Sequence, residues 1–262
     1  MDQGAWTDAG YDPDLARAWH LSLLVADDLS AWCAHATADG RIAAIGWSKG
    51  QSALDAENLP KHPAAVTFVS LPEWSALVPE GALERGSEAD HLSLVHGKLP
   101  TGALRDEAVA DIGARCIYVH DDELERHVLD RFPGARPVPM SSLMLRGALA
   151  RSAEGPVLFL HRSHDRMDAA AARRGRLLLC TTYPARSSQD LLYYALLAAE
   201  GCGVAPAELR VACGGTKLVQ HEANLLSRYF KEAAMADGPW AASDDPERWR
   251  WLALTEQFAC AS

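Results

Sequence analysis

Arg176-Leu177-Leu178-Leu179-Cys180-Thr181-Thr182-Tyr183 and the residues that continue it to Ala234 decide the fold. Leu177 to Tyr183 is a short apolar run with β-prone residues, the pattern of a buried strand. Ser187-Ser188-Gln189-Asp190 then places a serine three residues ahead of an acid and just before an apolar run, which is capping-box spacing and opens a helix. Gly201-Cys202-Gly203 ends that helix, because glycine takes a left-handed C-cap at little cost. Leu209 to Cys213 reads as a second strand, closed by Gly214-Gly215-Thr216. A long amphipathic helix is expected next, with Leu218, Leu225 and Tyr229 beside Val219, Leu226 and Phe230 at helical spacing. Strand, helix, strand, glycine turn, helix is a βαβα unit, which implies parallel pairing and a sheet covered by helices.

The rest of the chain is organised in the same terms. Leu21–Ala26 is a first strand, Asp27-Asp28 a turn, Leu29 to Ala36 a second strand. Asp39-Gly40 signals a two-residue hairpin, whose turn needs positive φ at both positions. Arg41 to Trp47 is then the third strand of an antiparallel meander, after a lead-in segment over residues 1–18. Val66 to Ser70 and Trp74 to Pro79 read as strands, and Leu92–Val95 and Cys116–His120 as strands of an inserted piece. Helices are expected from Asp121 to Phe132, opened by acids at the positive end of the dipole, and from Ser141 to Ala153. Pro156 to Leu160, Met167 to Ala172 and Arg176 to Tyr183 form a second meander, with turns at Ser163-His164-Asp165 and Arg174-Gly175. The aromatic tail, with Trp240, Trp249, Trp251 and Phe258, is expected to close a groove or pack on the second lobe.

Composition narrows the function classes. At 262 residues, 48% hydrophobic and 23% charged, the chain is globular and long enough for one large domain or two lobes. A formal charge of −10 and a pI near 5.4 argue against nucleic acid, whose phosphates need a basic face. The arginines at 162, 166, 173, 174 and 176 read as solvated hairpin residues. Six scattered cysteines without a C-x-x-C suit buried thiols in a reducing compartment. The polar, acidic N-terminus is unlike a signal peptide, and no apolar run nears the roughly 18 residues of a membrane span. The expected location is the cytoplasm.

Two meanders, each followed by alternating helices and strands, resemble the duplicated ribonuclease-H-like architecture of the actin-like ATPase superfamily. The matching phrases are Leu21–Ala26 (LSLLVA), Phe68 to Pro79 (FVSLPEWSALVP), Arg176 to Tyr194 (RLLLCTTYPARSSQDLLYY) and Arg228-Tyr229-Phe230. They are similar to an uncharacterised bacterial domain-of-unknown-function family with that fold, and the pilus-assembly protein PilM is a better-known relative in shape. The resemblance implies an α/β fold of two lobes, each with a mixed sheet flanked by helices. The lobes are expected at 1–153, with an insertion at about 80–140, and at 154–262.

What the superfamily does with ATP depends on two hairpin turns, roughly D-x-G-[ST], whose glycines bring backbone N–H groups onto phosphates. Val25 to Ser30 and Leu160 to Arg166 occupy those places with acids and no glycine, and the first is too tight to wrap a phosphate. Both clamps read as dismantled. Gly214, Gly215 and Thr216 stand where the superfamily keeps its adenosine loop, so they are the candidate cofactor contacts; otherwise they are a tight strand-to-helix turn with Thr216 as N-cap. His161, His164, Asp165 and Asp168 are of metal-ligating types, but strand alternation sends neighbours to opposite faces. Asp27 and Asp28 with Asp165 would be a nuclease-like carboxylate set. His20 and His35 read as strand-end and strand-surface residues, and Ser141-Ser142 and Ser187-Ser188 as helix caps. The expectation is a non-catalytic actin-like protein with no catalytic or metal-ligating residues and no bound cofactor, Gly214, Gly215 and Thr216 being its one candidate cofactor-contacting set, that docks another protein in the groove between its lobes or along a sheet edge. The alternative is a divergent ATP–Mg²⁺-binding enzyme using Gly214–Thr216.

Overall fold

The computed structural model describes residues 3–236 and 248–261, so Trp240 lies outside the described residues. In chain order the elements are β1 (Gly4–Thr7), β2 (Trp19–Ala26), β3 (Leu29–Ala36), β4 (Ile42–Lys49), β5 (Ala65–Leu71), β6 (Glu73–Pro79), α1 (Glu88–His96), β7 (Arg105–Val109), β8 (Ala114–His120), α2 (Asp122–Arg131) and β9 (Arg136–Pro137). There follow α3 (Met140–Arg151), β10 (Val157–Ser163), β11 (Arg166–Arg173), β12 (Arg176–Pro184), α4 (Ser188–Gly201), β13 (Arg210–Gly214), α5 (Gln220–Leu226), β14 (Glu232–Met235), α6 (Leu252–Thr255) and α7 (Gln257–Ala261).

The chain forms two compact units. The first holds the chain up to residue 108, residues 113–139 and the chain from 253 on; the second holds 109–112 and 140–252. The first unit's main sheet runs β1-β4-β3-β2-β5-β9, and the second unit's runs β12-β11-β10-β13-β14. With β1 set aside, each sheet has the order third, second, first, fourth, fifth strand. In each, the meander is antiparallel, and the first strand pairs parallel with the fourth. The apolar runs at β2, β3 and β10 are buried along almost their whole length, as strands covered on both faces must be. Ser187 caps α4 in a complete capping box: its hydroxyl accepts from the Asp190 N–H, and the Asp190 carboxylate accepts from the Ser187 N–H at 3.0 Å. At the β11–β12 turn, Arg174 and Gly175 have φ of 51° and 73°, the two left-handed residues of a tight hairpin.

Several boundaries differ from the sequence reading. Residues 4–7, expected as lead-in, add an edge strand to β4, with Gly4 giving Trp47 room to lie over it. The β3–β4 hairpin is longer than two residues: Gly40 alone has positive φ, and its N–H donates to the Ala36 carbonyl. Leu92–Val95, expected as a strand, belongs to α1, which buries Leu92 and leaves Leu94 and Val95 exposed. The long helix expected to run past Phe230 stops at Leu226, and the chain turns into β14, which pairs parallel with β13.

The division of the chain also shifts from the expected 153/154 to 139/140. Gly147 of α3 packs against the ring of Phe159 on β10, so this helix belongs to the second unit. The inserted piece is the β6-β8-β7 sheet with α1, rather than 80–140; α2 and β9 return to the first unit's main sheet. The tail divides as well. Trp249 packs on the second unit's core, whereas Phe258 stacks on His35 in the first at 5.4 Å between ring centres. Gln257 fixes α7 there, donating to the Leu23 carbonyl at 2.8 Å and accepting from the Thr67 hydroxyl at 2.9 Å.

Candidate functional site

The two hairpin tips and the glycine loop are the places to look for nucleotide chemistry. In the first unit, Ala26 pairs with Leu29, so Asp27 and Asp28 are a two-residue turn, and both are exposed. The turn is braced from behind: the Gly50 N–H donates to the Asp28 carbonyl at 3.0 Å, and the Gln51 amide donates to the Ala26 carbonyl at 2.8 Å. A hollow of about 470 Å³ beside Asp27 is lined by Asp121, Glu123 and Asp130, with Arg126 and His127. Four carboxylates against one guanidinium make a surface that repels a polyphosphate.

In the second unit Ser163 pairs with Arg166, leaving His164-Asp165 as another two-residue turn. Arg162 is buried, and its guanidinium donates to the carbonyls of Ser163 at 2.9 Å and His164 at 2.7 Å. The side chain therefore fills the base of the turn that a phosphate loop would wrap. The tip charges, Asp165 with His164 and Arg186, are exposed and of little energetic weight.

Gly214, Gly215 and Thr216 close β13 as expected, but their special geometry serves the chain itself. Gly215 has φ of 118°; a Cβ there would collide with the Arg162 carbonyl oxygen and lie 2.6 Å from the Arg162 nitrogen. The Gly215 N–H donates to the Trp249 carbonyl at 2.9 Å, and a Cβ on Gly214 would lie 2.6 Å from that same oxygen. Thr216 is buried and does not cap α5, which begins after Val219; there the Glu222 carboxylate accepts the Val219 N–H at 3.3 Å.

Strand alternation separates the histidine and carboxylate set. His161 and Asp168 are buried as facing residues of β10 and β11, while His164 and Asp165 stand in the exposed turn. Burial opposes ionisation of Asp168, but the Arg166 guanidinium and His161 hold its carboxyl well below the usual range, and the Thr182 hydroxyl donates to it at 2.8 Å. Among the described residues, no group of three or more His, Cys, Asp or Glu is disposed to hold a metal ion. Asp27 and Asp28 belong to the first unit and Asp165 to the second.

Three polar clusters were not legible in the sequence. His20 and His35, expected at a strand end and a strand surface, are buried beside Phe258, and burial pushes each down to about 4. His120 is buried between two carboxylates, 3.2 Å from Glu73 and 3.5 Å from Glu125, and Arg105 pairs with Glu125. Burial opposes the charge on His120, but hydrogen bonds to Glu125 and Glu73 outweigh it and raise its pKa. Ser188 lies 2.9 Å from His221 Nε2 and donates to Glu222 at 3.0 Å. In a nucleophilic triad the acid orients the histidine; here the acid takes the serine proton, so the cluster ties α4 to α5. The six cysteines are free, and burial raises the Cys213 thiol to about 12, far from a reactive thiolate.

Two sheets of the same strand order, each made of a meander followed by two parallel strands, define an actin-like ATPase fold. A solved protein from Bacteroides thetaiotaomicron, described as having an actin-like ATPase fold and unknown function, superposes with a TM-score of 0.72 at 15% identity, covering 83% of this chain and 90% of its own. The chain belongs to the DUF3822 family, described as proteins of unknown function, whose profile matches residues 67–232. The cytoplasmic domain of EpsL, an inner membrane component of the Vibrio cholerae type II secretion system, matches at TM-score 0.50 and 12% identity, covering 93% of this chain and 96% of that one. A PilM–PilN pilus biogenesis complex matches at TM-score 0.47 and 14% identity, over 92% of this chain and 94% of that one. No curated protein sequence matches. No helix among the described residues is long and apolar enough to cross a membrane.

Proposed function

We propose that this chain is a non-catalytic member of the actin-like fold that acts by binding another protein. The observation that carries the reading is the filled glycine loop: the Gly215 N–H is engaged by the Trp249 carbonyl, and the space over its Cα is taken by the Arg162 backbone. The two glycine-free tips and the acidic hollow beside Asp27 support it. A triphosphate needs backbone N–H groups and room, and here both are used by the fold. The six free cysteines favour a reducing compartment, the cytoplasm.

The test is phosphate release. The purified chain with ATP and Mg²⁺ should release no more phosphate than an Asp27→Asn/Asp165→Asn variant, whose substitutions are at exposed turn positions. Turnover in the wild type that the double variant loses would establish the competing reading, a divergent ATPase.

A further inference from the structure

The outer edge of β12 has a composition that exposed edges usually avoid. Among the described residues no strand pairs with it, and residues 177–183 are all partly exposed. Long apolar edges are templates for pairing with another chain. Pro184, opposite Arg166, has no N–H to give β11. By antiparallel alternation the N–H and C=O of Thr182 face the same way as the missing proline donor, toward the open edge. A register irregularity, where Leu177 and Leu179 face the adjacent Ala172 and Ala171, limits the regular stretch to about the five residues from Leu179 to Tyr183.

A tyrosine platform adjoins this edge. Tyr183 stacks on Tyr194 of α4 at 4.9 Å, and Tyr193 meets Tyr194 edge-on at 5.0 Å. Tyr193 is 60% exposed, and Leu197, one turn on, is 37% exposed. Exposed tyrosine and leucine beside an open strand edge are the side chains that protein interfaces favour.

Charge selects the occupant. Arg173, Arg174 and Arg176, at the hairpin end of β12, are exposed and make no ion pair among the described residues. A second copy paired antiparallel would bring these arginines to the end that carries Arg186, whose guanidinium lies 4.0 Å from the exposed Asp165 carboxylate. Paired parallel, it would set arginine against arginine. Neither arrangement neutralises them, whereas carboxylates on a different chain do.

We infer that the β12 edge adds an extended segment of another protein to the second unit's sheet. That segment is apolar beside Leu179–Tyr183 and acidic beside Arg173, Arg174 and Arg176. Main-chain hydrogen bonds supply affinity, and the arginines set direction and specificity. The inference rests on the binding-protein reading and adds to it the surface and the partner's chemistry.

The experiment is selection of a random library of peptides of about a dozen residues on the intact chain. Enriched peptides are expected to pair an apolar run with Asp or Glu. They should protect the edge-facing backbone amides within 179–183, that of Thr182 foremost, from hydrogen exchange, and bind an R173E/R174E/R176E variant about tenfold more weakly or worse. All three positions are exposed, so that variant keeps its fold. No enrichment, enrichment of peptides without acids, binding unaffected by the charge reversal, or a dimer of this chain built on β12 would each overturn the inference. Those outcomes leave the binding-protein reading in place as long as ATP is not hydrolysed; hydrolysis defeats that reading whatever the peptides do.

Discussion

Gly215→Ala is expected to lower the unfolding midpoint of the second unit by roughly 10 °C or more, a loss of about 3 kcal/mol. Two costs act together. Its φ of 118° is a backbone conformation that L side chains rarely adopt, and an added Cβ would meet the Arg162 backbone. Neither side can yield cheaply. Arg162 belongs to β10, between β11 and β13, its carbonyl accepts the Lys217 N–H at 3.2 Å, and its buried guanidinium holds the adjacent turn. Gly201→Ala is the control, since a Cβ there has nothing within 4 Å and the φ is ordinary; its midpoint should stay within a degree or two. Thermal unfolding followed by circular dichroism reads both. A Gly215→Ala chain as stable as the wild type would mean that the loop can lift away from Arg162 and offer its N–H to a ligand.

Acid should weaken the first unit steeply. His20 and His35 are buried, and burial pushes each from 6.5 down to about 4. Between those values the unfolded chain binds protons that the folded chain refuses. Their contribution is therefore complete above pH 6.5 and is lost as pH falls toward 4. Each costs about 1.4 kcal/mol per pH unit, so the pair removes several kcal/mol across the interval. His120 works in the opposite sense. Its raised pKa gives stability that is fully present below 6.5 and fades as pH rises through its folded value. It therefore offers no relief on the acid side. Urea midpoints measured between pH 6.5 and 4.5 should fall throughout, and a His35→Leu variant should show about half the slope. A midpoint independent of pH over that range would contradict neutral, buried imidazoles at both positions.

The second unit was legible in detail up to β13 because its local signals agree there. Arg174-Gly175 can only be a tight turn, Ser187 and Asp190 complete a cap, and Gly203 ends the helix with φ of 63°. The misread elements are those whose structure is imposed from a distance. Gly4-Ala5-Trp6-Thr7 carries no apolar run and becomes a strand by pairing with β4. Leu92-Ser93-Leu94-Val95 alternates like a strand, yet forms a helix that buries only Leu92. Glu232-Ala233-Ala234-Met235 lacks β-branched residues and is extended because β13 offers an open edge.

The candidate site divides along the same line. That the two tips are short and carry no glycine is a matter of their own residues, so it could be read from the sequence alone. The filling of the glycine loop could not, because Arg162 and Trp249 reach Gly215 from other parts of the chain. His120 gave no signal either. Glu73, Arg105 and Glu125 come to it from three different elements, and each is an ordinary polar residue in its own stretch.

Thermal unfolding of the intact chain with millimolar ATP and Mg²⁺, against Mg²⁺ alone, tests the central claim most directly. The expected result is an unchanged midpoint. Nucleotide at about 100 times its Kd would add about 2.7 kcal/mol. A rise of several degrees with ATP–Mg²⁺, absent with Mg²⁺ alone, would contradict a nucleotide cradle filled by the chain's own atoms.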